Sequence, residues 1–106
     1  MKVLLDECVV QDYRHDVVGH DVYTAGYLGW AGVKNGKLLA AAAAAGFDVL
    51  VTTDRGIEHQ QNLATLPLSV VLLRPASNDL EDIRPLTGEL LRILTNLPQR
   101  SFAAVG

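Results

Sequence analysis

Lys2-Val3-Leu4-Leu5-Asp6-Glu7 is the stretch from which the fold can be read. Val3 to Leu5 are apolar without alternation, and the run stops at two adjacent carboxylates. Parallel strands buried on both faces have this appearance. The pattern returns once, in Asp48-Val49-Leu50-Val51-Thr52-Thr53-Asp54-Arg55. If both runs are parallel strands of one sheet, Asp6 and Asp54 leave it at the same edge. Ligands of open α/β sheets bind outside the carboxyl ends of the strands.

Working outward, Val9, Val10, Tyr13, Val17 and Val18 recur at helical spacing, and Gly19 can close that helix. His20 to Ala25 reads as a second, β-rich strand. Gly26, Gly29 and Gly32 then surround Trp30 in a spacing that matches no phosphate-loop fingerprint. This stretch is read as a crossover loop with Trp30 covering the core. Asn35 is a candidate N-cap for a helix from Gly36 to Ala45, whose alanines have high helix propensity. Phe47 to Thr52 is the third strand, Ile57 to Leu63 a short helix, and Leu68 to Leu73 the fourth strand.

Asn78 and Glu81 have capping-box spacing. Leu80, Ile83, Leu86, Leu90, Leu94 and Leu97 form an amphipathic stripe, and Pro85 within it predicts a kink or a restart. Ser101 to Val105 is a last, weak strand. Strands alternating with helices predict an α/β fold with a mainly parallel sheet of four to five strands. One domain over residues 1–106 is expected.

Composition narrows the function classes. With 49 % apolar residues the chain can build a core and is not of disordered type. Net charge is −3, so nucleic-acid contact would need a local patch rather than a global basic field. Cys8 is the only cysteine, which excludes a disulfide within the chain and points to a reducing, cytoplasmic setting. The start is too soon acidic for a signal peptide. The longest apolar run, Leu38 to Ala45, is far short of the roughly 20 residues a membrane helix needs.

Asp6, Glu7 and Asp54 are the acids placed directly after core strands. Clustered carboxylates repel and call for a cation, and hard oxygen ligands suit Mg²⁺ or Mn²⁺. The competing reading makes Asp6 a helix cap and Asp54 a turn former with Gly56. Lys34 and Lys37 flank the start of the alanine helix, where cations are mildly unfavourable unless an anion is near. Either they serve a phosphate or they are solvated. Arg55 either neutralises Asp54 or contacts phosphate. His15 and His20 lack partners at zinc-ligand spacing, whereas His59, five residues after Asp54, either faces the site or is solvated or amide-bonded, the reading favoured here.

Leu4-Leu5-Asp6-Glu7, Gly19-His20-Asp21-Val22, Gly29 to Gly36, Val51-Thr52-Thr53-Asp54 and Gln60-Gln61-Asn62-Leu63, in that order, resemble a bacterial PIN-like family related to VapC-type toxins. The resemblance implies a PIN-like three-layer α/β/α sandwich. It also implies descent from Mg²⁺- or Mn²⁺-dependent ribonucleases, many of them toxins paired with an antitoxin protein, and commonly homodimeric. Carried over by position, Asp6 and Asp54 are the metal-binding aspartates, Glu7 is counted with them in the catalytic group, and Glu7 or Asn35 would be an outer or weak ligand. Lys34, Asn35, Lys37 and Arg55 are the RNA-binding candidates. Asn35 stands where related members often carry an acid, so this site has fewer carboxylates than the full nuclease pattern. Two alternatives stay open: a catalytically weakened PIN-like module that binds a regulatory partner, and a receiver-like phosphoacceptor, for which a lysine after a late strand is missing.

Overall fold

A computed structural model describes residues 1–106. Its centre is a five-stranded, all-parallel sheet: β1 Lys2–Leu5, β2 Asp21–Thr24, β3 Val49–Thr52, β4 Ser69–Leu73 and β5 Phe102–Val105. The strand order is β2-β1-β3-β4-β5. The two sequence runs that point to a sheet are adjacent strands, with Val3, Leu4 and Leu5 paired to Val49, Leu50 and Val51. The chain steps outward from β1 to β2, then crosses back to lay β3 on the other side of β1. This makes the carboxyl end between β1 and β3 the topological switch point, the crevice where sheets of this order bind ligands.

The strands are apolar throughout because both faces are covered. Val3, Leu5, Val49, Val51, Val71 and Leu73 face one layer, with Tyr13, Ile83, Leu90 and Leu94 packed against them. Leu4, Leu50, Val70 and Leu72 face the other, against Leu38, Leu39, Ala42 and Ile57. The first covering layer is a 3₁₀ turn (Gln11–His15) with helices α3 (Leu80–Ile83) and α4 (Thr87–Thr95). The second is α1 (Asn35–Ala44) and α2 (Ile57–Gln60). The result is α/β with a parallel sheet, as expected from the alternation, and its layers are those of an α/β/α sandwich. Each fully buried Val or Leu contributes about 1.5–3 kcal/mol. No helix is long and apolar enough to cross a membrane.

Several boundaries differ from expectation. Val9 to Val18 form no α-helix. Only Gln11–His15 is helical, and as 3₁₀. Paired valines at each end carry low helix propensity, and Tyr13 alone anchors the turn in the core. Gly19 does take φ +81° after it. Asn35 is the first residue of α1 rather than its cap, and Lys34 holds the cap position with no side-chain bond. Asn78 and Glu81 form no capping box: Asp79 precedes α3, also without a side-chain cap bond. Pro85 does interrupt the last helix, with a 3₁₀ segment Arg84–Leu86 between α3 and α4. The leucine stripe faces the core.

Tyr13 links the two ends of one layer, its hydroxyl 2.8 Å from Thr87 Oγ1. Burial pushes the phenol pKa up from 10.0, against the lowering effect of the Thr87 bond. A folded-state pKa above the unfolded one gives stability that is complete below about pH 10 and lost as pH rises through the folded value. Denaturant unfolding of the wild type should therefore weaken above pH 10. Tyr13→Phe should lose about 1 kcal/mol at pH 7 for the missing hydrogen bond and show a shallower alkaline decline.

Candidate functional site

β1 and β3 deliver Asp6 and Asp54 to the two sides of the switch point. Asp6 remains in the ladder, its backbone N–H donating to Val51 O at 2.9 Å. The residue is 6 % exposed. Asp6 Oδ1 accepts from the Glu7 N–H at 2.8 Å, and Oδ2 accepts from Thr52 Oγ1 at 2.8 Å. Asp54 Oδ1 accepts from the Gly56 N–H at 3.0 Å, the turn bond expected from the sequence. Its Oδ2 accepts from Asn35 Nδ2 at 3.0 Å.

Thr52 is the residue that sequence reasoning missed. It is fully buried at the end of β3. Its hydroxyl proton goes to Asp6, since a carboxylate only accepts. The same oxygen accepts the Asp54 N–H at 3.0 Å and lies 3.3 Å from Cys8 Sγ. With its proton committed to Asp6, Thr52 is the acceptor from the Cys8 thiol. Two hydrogen bonds in series thus link the Asp6 carboxylate to the Asp54 backbone. The available signal was Thr52-Thr53-Asp54: a hydroxyl side chain ending an otherwise apolar strand.

The other candidates divide. Asn35 joins the site, and its amide also reaches Gln60 Oε1 at 3.3 Å. This places the first turn of α1 beside Asp54, where the positive end of the helix dipole favours a carboxylate. The amides of Asn35, Gly36 and Lys37 have no backbone acceptor, since the first bond at this end runs from Leu38 N to Lys34 O. Lys34 and Lys37 are exposed and form no ion pair.

Glu7 and Arg55 turn to other partners than Asp6 and Asp54. Both Glu7 oxygens accept from the Gly32 N–H, at 3.1 and 3.0 Å. Glu7 therefore pins the glycine-rich loop, where Gly32 takes φ +83°. Arg55 does not pair with Asp54; it donates to Pro75 O at 3.2 Å. Trp30 packs on Phe47 with ring centroids 6.1 Å apart. No three His, Cys, Asp or Glu side chains gather into one metal-holding group.

A divalent cation is nevertheless compatible with the donor set. None of the four ion pairs involves Asp6, Glu7 or Asp54. Each oxygen of Asp6 and Asp54 accepts one hydrogen bond, which leaves a lone pair on every one. Asn35 donates through Nδ2 and leaves its carbonyl oxygen without a partner. Mg²⁺ is commonly held by one or two carboxylates, with waters and substrate phosphate completing its shell. Against known proteins, no family model, curated protein or solved structure matches the chain. The functional reading therefore rests on the chemistry of this site together with the sequence resemblance.

Proposed function

We propose that the chain is a metal-dependent ribonuclease of PIN-like type, working at the edge that carries Asp6 and Asp54. One observation carries the reading: a buried carboxylate, Asp6, with no cationic side chain paired to it, follows the strand next to the one that leads to Asp54, and Thr52 bonds to both residues. Burying an unpaired charge costs several kcal/mol; the hydrogen bonds from Thr52 and the Glu7 N–H offset that cost, and a bound cation would add to them.

Asp6, Asp54 and the carbonyl oxygen of Asn35 would hold Mg²⁺ or Mn²⁺. The chemistry such an ion supplies is activation of a water and charge relief at a phosphodiester. Thr52 keeps the Asp6 carboxylate in one rotamer, and Asn35 does the same for Asp54. Lys34, Lys37 and the free amides at the start of α1 offer positive charge to RNA phosphates. The PIN-like resemblance extends the proposal to a toxin-type component with an antitoxin partner.

A second reading is favoured by the small number of acids. With two carboxylates and an amide, the same fold suits a weakened PIN-like module that binds a regulatory protein. Mn²⁺ titration separates the two. At a tenfold excess over Kd, an ion bound only by the folded state adds about 1.4 kcal/mol. That raises Tm by on the order of 5 °C in a chain of this size. The rise is expected in wild type and absent in Asp6→Asn and Asp54→Asn. A wild type that does not respond to Mn²⁺ favours the binding module.

A further inference from the structure

We infer that the groove beside the edge strand β2 is a nucleobase subsite for single-stranded RNA, one strand away from the Asp6 site. The inference rests on the ribonuclease reading for its substrate class. The groove has a volume of about 430 Å³ and is lined by Gln11, Arg14, Val22, Thr24, Gly26 and Tyr27, with Tyr23 at its side. That volume falls within the range of small-molecule sites, about 300–1,000 Å³.

Its position follows from register. Leu5 pairs with Thr24, and the Ala25 N–H donates to Leu5 O at 2.9 Å. Gly26 and Tyr27 therefore leave β2 at the level where Asp6 and Glu7 leave β1. Neighbouring strands are about 4.8 Å apart. A nucleotide whose phosphate lies at Asp6 can place its own base, or the next one, over Tyr27.

The chemistry of the lining suits a base. Tyr27 is 79 % exposed, yet its backbone is held by a bond from its N–H to Thr24 Oγ1 at 3.1 Å. Tyr23 lies at its flank, with ring centroids 6.3 Å apart and planes inclined by 39°. An exposed ring on a fixed backbone is a stacking platform, and stacking on aromatic side chains is how proteins hold unpaired bases. The Gln11 side chain has no partner and presents both a donor and an acceptor. Arg14 uses one guanidinium nitrogen on Gln11 O, at 2.9 Å, and on Asp12, at 3.6 Å. Its other two nitrogens are free for phosphate. Gly26 leaves room for Gln11: a Cβ there would lie 2.7 Å from Gln11 Nε2.

Fluorescence anisotropy of a short labelled single-stranded RNA, in chelator at low salt, tests this. Chelator separates binding from cleavage. Wild type should bind, and Tyr27→Ala should bind about tenfold more weakly, the loss expected for one stacked base. Tyr27→Phe should stay within about twofold of wild type, because it retains the ring. Gly26→Ala, which displaces Gln11, should weaken binding by a smaller factor. Equal affinity of wild type and Tyr27→Ala would overturn the subsite, as would no binding by wild type. Binding that depends on Tyr27 without any Mn²⁺-dependent cleavage would sustain the subsite and overturn the ribonuclease reading instead.

Discussion

Asp6→Asn should lower Mn²⁺-dependent cleavage of single-stranded RNA by at least about hundredfold, with Asp54→Asn close to it. A hundredfold loss corresponds to about 2.7 kcal/mol of transition-state stabilisation. That is within the several kcal/mol that a bound ion contributes as a Lewis acid. The substitution preserves volume and one acceptor oxygen, so it isolates charge from shape. It does disturb the local hydrogen bonds. Thr52 now donates to Asp6 Oδ2. An amide nitrogen placed there would instead donate to Thr52, which already accepts from the Asp54 N–H. Tm is measured alongside the rate, so that unfolding is not read as lost catalysis. Equal rates in wild type, Asp6→Asn and Asp54→Asn would remove this edge as the catalytic site.

The sheet was legible because its strands are buried on both faces. Val3 to Leu5, Val49 to Thr52 and Val70 to Leu73 need no alternation, and the longer apolar run, Leu38 to Ala45, is set apart by its alanines, which favour a helix. The segment Val9 to Val18 was misleading for a related reason. Apolar spacing reports which side chains face the core, and Val9, Tyr13 and Val17 do. It does not report whether the backbone between them pays the helix cost of paired β-branched residues. A 3₁₀ turn satisfies the same spacing over fewer residues.

The site was legible in its carboxylates and illegible in what holds them. Asp6 and Asp54 could be placed from strand ends alone. The role of Thr52 depends on β1 and β3 being neighbours, which no local pattern encodes. Asn35 has the right residue type for a cap, but one place further into the helix its amide turns across the gap to Asp54. Arg55 shows the opposite error. Adjacency in the chain suggested a pair with Asp54, yet the turn sends the guanidinium to Pro75 O. Glu7 likewise follows Asp6 in sequence but is directed to Gly32.

Thr52→Val should have the largest effect on stability of any single-atom change at the site. Valine matches threonine in shape and suits a strand, so neither cavity nor propensity confounds the result. What it removes is the hydroxyl between two elements. Asp6 Oδ2 loses its donor and the Asp54 N–H loses its acceptor. Each buried group left without a partner costs about 1–3 kcal/mol. A total near 3 kcal/mol is expected, a fall in Tm on the order of 15 °C. Thr52→Ser restores the hydroxyl and should recover most of it. Cys8→Ala should lose less than Thr52→Val, since the thiol is the weakest of the three contacts at Thr52 Oγ1. Thr52→Val also removes the donor that holds the Asp6 carboxylate, and loss of a residue that orients a ligand typically lowers metal affinity 10- to 100-fold. The Mn²⁺-induced rise in Tm should therefore shrink in Thr52→Val and return in Thr52→Ser. A Thr52→Val protein that melts within about 2 °C of wild type would show that Thr52 does not hold the two aspartates in place.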